Sequence, residues 1–267
     1  MSALVDKLAR ADWGRRLYSL LPDQKLDALP VLPLRGMDGG DGGMIRGWGL
    51  QFGPLRSLVS RDPLYRKARR AARGKTLVQE LHRINLFLLI RFYVAMLKTQ
   101  DIAEVGVYHG GNTFFMAMLL KELYPGARLY AFDTYEGISD STRGSDLHMK
   151  GDFGDASLIA VRAAAKERGI DNIEFVAGDV RETLKSFHAP IGLAHIDLAV
   201  YDPIAFAQDV LWERLGAGGY LVYDDATFSN CVGATRAVEE FLVKHRVHSE
   251  QIYPHFVFRK SSEAQRA

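Results

Sequence analysis

The sequence predicts an α/β fold, a mostly parallel seven-stranded sheet with helices on both faces and a C-terminal antiparallel hairpin. Three observations predict it. Short apolar runs alternate with helical patterns from Ala103 to Lys244. The runs are nearly continuous, as strands covered on both faces must be. The last two, SEQIYP and HFVFRK, lie too close together for a crossover helix, so they pair antiparallel.

In chain order, residues 1–75 read as an N-terminal extension and 76–267 as the main domain. The extension holds a short possible helix over Ser2–Leu21, a proline-containing segment, and GMDGGDGGM over Gly36–Met44. Glycine at that density has nothing to pack, so Gly36–Gly53 reads as a loop or mobile arm, or as a lid. Arg61–Lys75, with RKARRAARGK inside it, concentrates positive charge and reads as basic surface or loop. Thr76–Lys98 has the periodicity of one long helix, its apolar part Leu86–Leu97 suited to packing against the core or a partner subunit.

The remaining elements follow in alternation. AEVGV is strand-like, Asn112–Leu123 helical, RLYAFDT from Arg128 strand-like, Ser157–Arg168 helical and IEFVAGD from Ile173 strand-like. GLAHID, a helix over Pro203–Leu215, GYLVYDD and a helix over Gly233–Lys244 complete the parallel units.

Composition narrows the function classes. A chain of 267 residues with 48% hydrophobic and 25% charged residues buries a full core, and its net charge of +2 gives no broad nucleic-acid-binding surface. Cys231 is the single cysteine, which excludes an intrachain disulfide framework and fits a reducing, cytoplasmic compartment. The N-terminus lacks a secretory pattern, and the apolar run at Leu86–Leu97 is interrupted by Arg91 and shorter than the roughly 20 residues that span a bilayer. Neither nucleic acid nor membrane is expected as a partner.

Ligands of open α/β sheets sit beyond the carboxyl ends of the strands. There the chain has Gly106, Gly110 and Gly111, either a tight turn or a close approach to a ligand, with Asn112 placed to cap the next helix. The spacing G-x-x-x-G-G departs from the dinucleotide pattern G-x-G-x-x-G. Glu104, two residues before the first glycine, would repel pyrophosphate but attract an amino group, which favours S-adenosylmethionine over NAD. Asp133 ends the next strand, where it can accept ribose hydroxyls. Asp179 ends the third, facing an adenine amine or a backbone partner. Asp197 and the pair Asp224–Asp225 end neighbouring strands, and three carboxylates without a Cys or His cluster suit magnesium or manganese.

These motifs resemble a known family. EVGVYHGG at Glu104–Gly111, FDTYEG at Phe132–Gly137, GD at Gly178–Asp179, HIDLAVYD at His195–Asp202 and GAGGYLVYDDATFSNCVGATRAVEEF at Gly216–Phe241 are similar to the class I S-adenosylmethionine-dependent methyltransferases, and among them to the macrocin O-methyltransferase family of antibiotic tailoring enzymes. The resemblance spans Thr76–Lys260. It implies a Rossmann-like fold and magnesium-dependent methylation of a hydroxyl on a sugar or natural-product scaffold, by a homodimer or higher oligomer. It places Glu104, Gly106, Tyr108, Gly110, Asn112, Thr113, Asp133, Thr134, Gly178, Asp179 and Asp197 around the cofactor, and Asp197, Asp224 and Asp225 on the metal.

Two departures bear on the chemistry. The family's D-x-D-x-Y reads Asp197, Leu198, Ala199, Val200, Tyr201 here, so its second acid is missing. Catechol-type enzymes, the alternative phenolic reading, place a lysine three residues after the first metal aspartate, where this chain has Val200. Candidates for the base are therefore His148, in the polar segment Tyr135–Asp155, and Asp197 itself. His195 is expected to support the metal site from behind, and Tyr108, His109, Tyr135, Tyr201 and Phe228 to wall a pocket or pack locally. An NAD-dependent oxidoreductase and a noncatalytic binding protein are the rival classes.

Overall fold

The computed structural model describes residues 54–141 and 147–261. The expected helix at Ser2–Leu21, the Gly36–Met44 arm, and Arg143 and Asp146 of the polar segment lie outside the described residues.

The seven strands form one sheet in the order β3-β2-β1-β4-β5-β7-β6. They are β1 Ile102–Val105, β2 Leu129–Asp133, β3 Ile173–Ala177, β4 Ile191–Ile196, β5 Leu215–Tyr223, β6 Ser249–Gln251 and β7 Phe256–Arg259. The first five are parallel, and β7 pairs antiparallel with both β5 and β6. This is the expected parallel sheet and terminal hairpin. β1 and β4 sit at its centre and are buried along their whole length, which explains their unbroken apolar runs.

Eight α-helices flank the sheet among the described residues: α1 Pro54–Arg61, α2 Pro63–Ala72, α3 Glu80–Leu88, α4 Gly111–Leu123, α5 Leu158–Glu167, α6 Val180–Thr183, α7 Tyr201–Arg214 and α8 Val232–His245. On one face α4 lies between the sheet and α2, with Phe114, Phe115, Met116, Leu119 and Leu120 all inaccessible. A helix walled on both sides needs apolar residues all round, and GNTFFMAMLL supplies them. On the other face α7 and α8 pack against β4, β5 and β7 around Leu211, Trp212, Val238 and Phe241.

Two sequence expectations change. The basic stretch Arg61–Lys75 contains a docked helix: Asp62 caps α2 by accepting from the amides of Leu64 and Tyr65, and Pro63 starts it. Its Tyr65 ring meets Phe87 and Phe115 edge-on, at 5.4 and 5.7 Å, so arginines cover only its outer face. The long helix expected over Thr76–Lys98 is broken into four pieces. Residues 75–79 form a non-helical strap, α3 follows, and Leu89–Tyr93 continue as a π-helical turn before a 3₁₀ turn at Val94–Met96. Periodicity does not distinguish these windings, because all place the same side chains inward.

The segment after β2 folds back on itself. Ile138 N donates to Asp152 O at 2.8 Å and Gly151 N to Ile138 O at 2.9 Å, so both arms of the polar segment are joined at its base.

Candidate active site

The glycine turn after β1 is shaped by its neighbours. Gly106 has φ +94°, and a Cβ there would overlap the carbonyl of Asp197 where β4 ends alongside. Gly110, at φ +85°, is the N-cap of α4. Asn112, expected as the cap, instead lies within the helix, because a left-handed glycine already turns the chain. A Cβ on Gly111 would run into the backbone of Lys75 and Thr76, and Gly111 N donates to Lys75 O at 3.0 Å. The strap 75–79 therefore lies across the start of α4.

Asp133 organises the turn. One oxygen accepts from the amides of Val107 at 2.6 Å and Tyr108 at 2.9 Å, and the other from Tyr135 N at 2.7 Å. Tyr108 and Tyr135 have φ of +52° and +56°, a region costly for side-chain-bearing residues, and the same carboxylate holds both. An ionised carboxylate has about four lone-pair sites, so Asp133 retains capacity for one further donor.

The turn, the strap and the ends of β4 and β5 enclose a cavity of about 500 Å³, in the range of small-ligand sites. Of the residues expected around a cofactor, Gly106, Tyr108, Asn112, Asp133, Thr134 and Asp197 line it. Gly110, Thr113, Gly178, Asp179 and Glu104 lie outside its lining. Glu104 is wholly buried and accepts from Asn112 Nδ2 at 2.8 Å and from Thr113 Oγ1, so it anchors α4 rather than meeting a cofactor amino group. Asp179 caps α6 and is held by Arg181, whose Nη2 is 2.6 Å from Oδ2; Val180 reaches the cavity in its place.

Asp197, Asp224 and Asp225 converge as expected, with one oxygen of each within 4.8 Å of the others. Burial, then the charges of Asp224 and Asp225, push the Asp197 carboxyl well above its ordinary range. Burial and Asp224 raise Asp225 to about 7. Asp224 goes the other way: against its burial, His82, His195 and His255 hold it well below the usual range. Oxygen-only donors carrying this much mutual repulsion fit a hard divalent cation, which would relieve it.

His195 stands behind this cluster, wholly buried and outside the cavity lining. Its Nδ1 is 3.4 Å from Glu104 Oε1 and its Nε2 3.6 Å from Asp224 Oδ1. Against the burial that disfavours its charge, Asp224 and Glu104 raise it to about 10. His148 does line the cavity, with Nε2 3.3 Å from Asn230 Nδ2 and Nδ1 3.6 Å from Asp152 Oδ2. Of the expected wall rings, Tyr108 and Phe228 line the cavity; His109, Tyr135 and Tyr201 do not. Ala199 and Val200 line it as small apolar surface.

Sequence reasoning missed the strap, Phe153 and two histidines. His82 Nδ1 donates to Asp224 Oδ1 at 2.8 Å and His255 Nε2 to the same oxygen at 3.0 Å, both rings 1% exposed or less. A signal was present for the first: Glu80, His82, Arg83 and Asn85 are four polar residues in a helix otherwise apolar, and all four are buried. Buried polar groups of this density exist to bond something.

The sheet order and its flanking helices are the Rossmann-like fold of the class I methyltransferases. Residues 103–226 match the family model described as Methyltransferase domain. Over 144 residues the chain is 30% identical to the 8-demethyl-8-(2,3-dimethoxy-alpha-L-rhamnosyl)-tetracenomycin-C 4'-O-methyltransferase of Streptomyces olivaceus, covering 49% of this chain and 54% of the relative, so the match spans about half of that protein. Among solved structures, the O-methyltransferase NovP is similar with a TM-score of 0.64 at 19% identity, over 83% of this chain and 100% of that one. CalS11, a calicheamicin methyltransferase, has a TM-score of 0.60 at 18% identity, over 77% and 90%. The fold is that of the class I methyltransferases, and residues 103–226 are similar to a methyltransferase domain.

Proposed function

We propose that the protein is an S-adenosylmethionine-dependent O-methyltransferase that uses magnesium and methylates a hydroxyl of a sugar or natural-product scaffold, as in the macrocin O-methyltransferase family. The observation that carries this reading is the single cavity shared by the glycine turn and the three carboxylates of Asp197, Asp224 and Asp225. The turn, Asn112 and Asp133 bind the cofactor, with the other expected contacts at Gly110, Thr113, Thr134, Gly178 and Asp179 shaping or flanking that wall. The rhamnosyl group in the name of the tetracenomycin relative supports a sugar-bearing acceptor for this chain.

S-adenosylmethionine supplies an electrophilic methyl, and a divalent ion supplies positive charge that acidifies the acceptor hydroxyl. The chain's own residues do the rest. Asp197, Asp224 and Asp225 hold that charge at one wall; Tyr108, Phe153 and Phe228 exclude water; and the fixed walls orient the hydroxyl for in-line attack. His148 takes the hydroxyl proton at Nε2, the acceptor hydroxyl displacing the 3.3 Å contact from Asn230 Nδ2, while Asp152, 3.6 Å from Nδ1, steadies the ring.

The protein acts as a cytoplasmic homodimer or higher oligomer in this reading. Cys231 is buried and forms no disulfide, and Phe92, Tyr93 and Met96 are exposed beyond α3. Among the described residues no helix is long and apolar enough to cross a membrane. The deciding experiment is calorimetry with S-adenosylhomocysteine and Mg²⁺, followed by a methyl-transfer screen over glycosylated and phenolic acceptors. Binding of NAD but not S-adenosylhomocysteine would sink the reading, and turnover of catechols alone would favour the phenolic alternative.

A further inference from the structure

Three imidazoles surround Asp224, and two of them, His82 and His255, come from outside the parallel αβ units that form the acid cluster. His82 sits on α3, directly after the strap that covers the start of α4. Its ring is 1% exposed, its Nδ1 donates to Asp224 Oδ1 at 2.8 Å, and it lies 5.4 Å from Phe228, which lines the cavity. His255, arriving from the segment before β7, donates to the same oxygen at 3.0 Å.

We infer that His82 is a positioning residue for the metal centre, so that docking of the strap and α3 completes the cation site. The inference rests on the metal-dependent reading above. With Oδ1 held by His82 and His255, the orientation of the Asp224 carboxylate beside Asp197 and Asp225 is restrained. Partners that orient a metal ligand from behind are worth about 10–100-fold in metal affinity.

Hydrogen bonds join the strap to α4 on one side and to the helix that carries His82 on the other. Gly111 N is bound to Lys75 O at 3.0 Å, Val78 N to Thr76 Oγ1 at 3.0 Å, and Arg83 returns to Val78 O. The strap also lines the cofactor cavity from Lys75 to Gln79. Because binding linkage is reciprocal, whatever factor strap docking adds to cation affinity, the cation adds to strap docking.

The test measures Mn²⁺ affinity by electron paramagnetic resonance and, separately, S-adenosylhomocysteine affinity without metal, on the full chain. His82→Ala is expected to weaken Mn²⁺ by about tenfold or more while metal-free cofactor affinity changes by less than about threefold. His82→Asn, whose Nδ2 takes the place of the imidazole Nδ1, restores Mn²⁺ binding; His82→Gln, one bond longer, does not. Mn²⁺ slows tryptic cleavage after Arg73 and Lys75 in the parent and in His82→Asn but not in His82→Ala. Parent-like Mn²⁺ affinity in His82→Ala, or equal protection from trypsin, overturns the inference. If His82→Ala fails to fold, the Asn and Gln variants decide, and equal Mn²⁺ affinity in those two overturns it. A parent that binds S-adenosylhomocysteine but no Mn²⁺ overturns the metal reading and this inference with it.

Discussion

Glu104 and His195 stand opposite each other in the parallel register of β1 and β4, both wholly buried, with Oε1 3.4 Å from Nδ1. The pair joins α4, through Asn112 and Thr113, to the carboxylate cluster, through Asp224. The pair at the sheet centre thus holds both the wall made by the glycine turn and the back of the acid wall.

Glu104→Ala leaves His195 charged and two donors unpaired in the interior. Removal of one partner of a buried pair costs about 3–5 kcal/mol, and urea unfolding should show a loss of that order. Glu104→Gln, which keeps an acceptor, should lose less.

Asp225→Ala separates chemistry from cofactor binding. Methyl transfer should fall on the order of 10²-fold or more, while S-adenosylhomocysteine affinity stays near that of the parent. Comparable losses in both, measured by turnover and calorimetry, would contradict the division between the two walls.

His148→Ala should lower kcat by about 10²–10⁴-fold with little change in KM for the cofactor, the usual range for a lost acid or base. A change confined to acceptor KM would instead make His148 a binding residue.

The sheet, its hairpin and the clustering of three acids were legible because each sits in a local pattern: apolar runs between helical segments, and Asp at a strand end. What was not legible depended on long-range contact. Glu104 looks available to a ligand in AEVGV, yet the register of β1 against β4 turns it into the interior. Asp179 looks free in VAGDV, but Arg181 two residues later closes on it. His82 and His255 are 173 positions apart (255 minus 82), and only the placement of α3 and β7 beside β5 brings their rings to 4.4 Å.

Gly111→Ala tests the strap without touching a polar group. The new methyl meets the Lys75–Thr76 backbone, so the strap must shift. Expected outcomes are a stability loss of about 1–3 kcal/mol in thermal unfolding and weaker S-adenosylhomocysteine binding.

Asp179 gives a pH signature. Its hydrogen bond with Arg181 lowers its carboxyl below the ordinary value, so the contribution to stability is present above about pH 4 and lost as pH falls through the folded value. Arg181→Ala should therefore lower the urea midpoint at pH 7 and shrink the parent-to-variant gap at pH 3. A gap that widens on acidification would contradict the pairing.

The backbone clasp between Ile138 and residues 151–152 has a practical meaning for engineering. A loop whose two arms are stapled at the base can be exchanged as a cassette, its ends already in register, with the sheet and α4 left alone. If the proposed activity holds, retargeting to new acceptors begins by grafting between Ile138 and Gly151 with the staple and His148 kept and the rest varied.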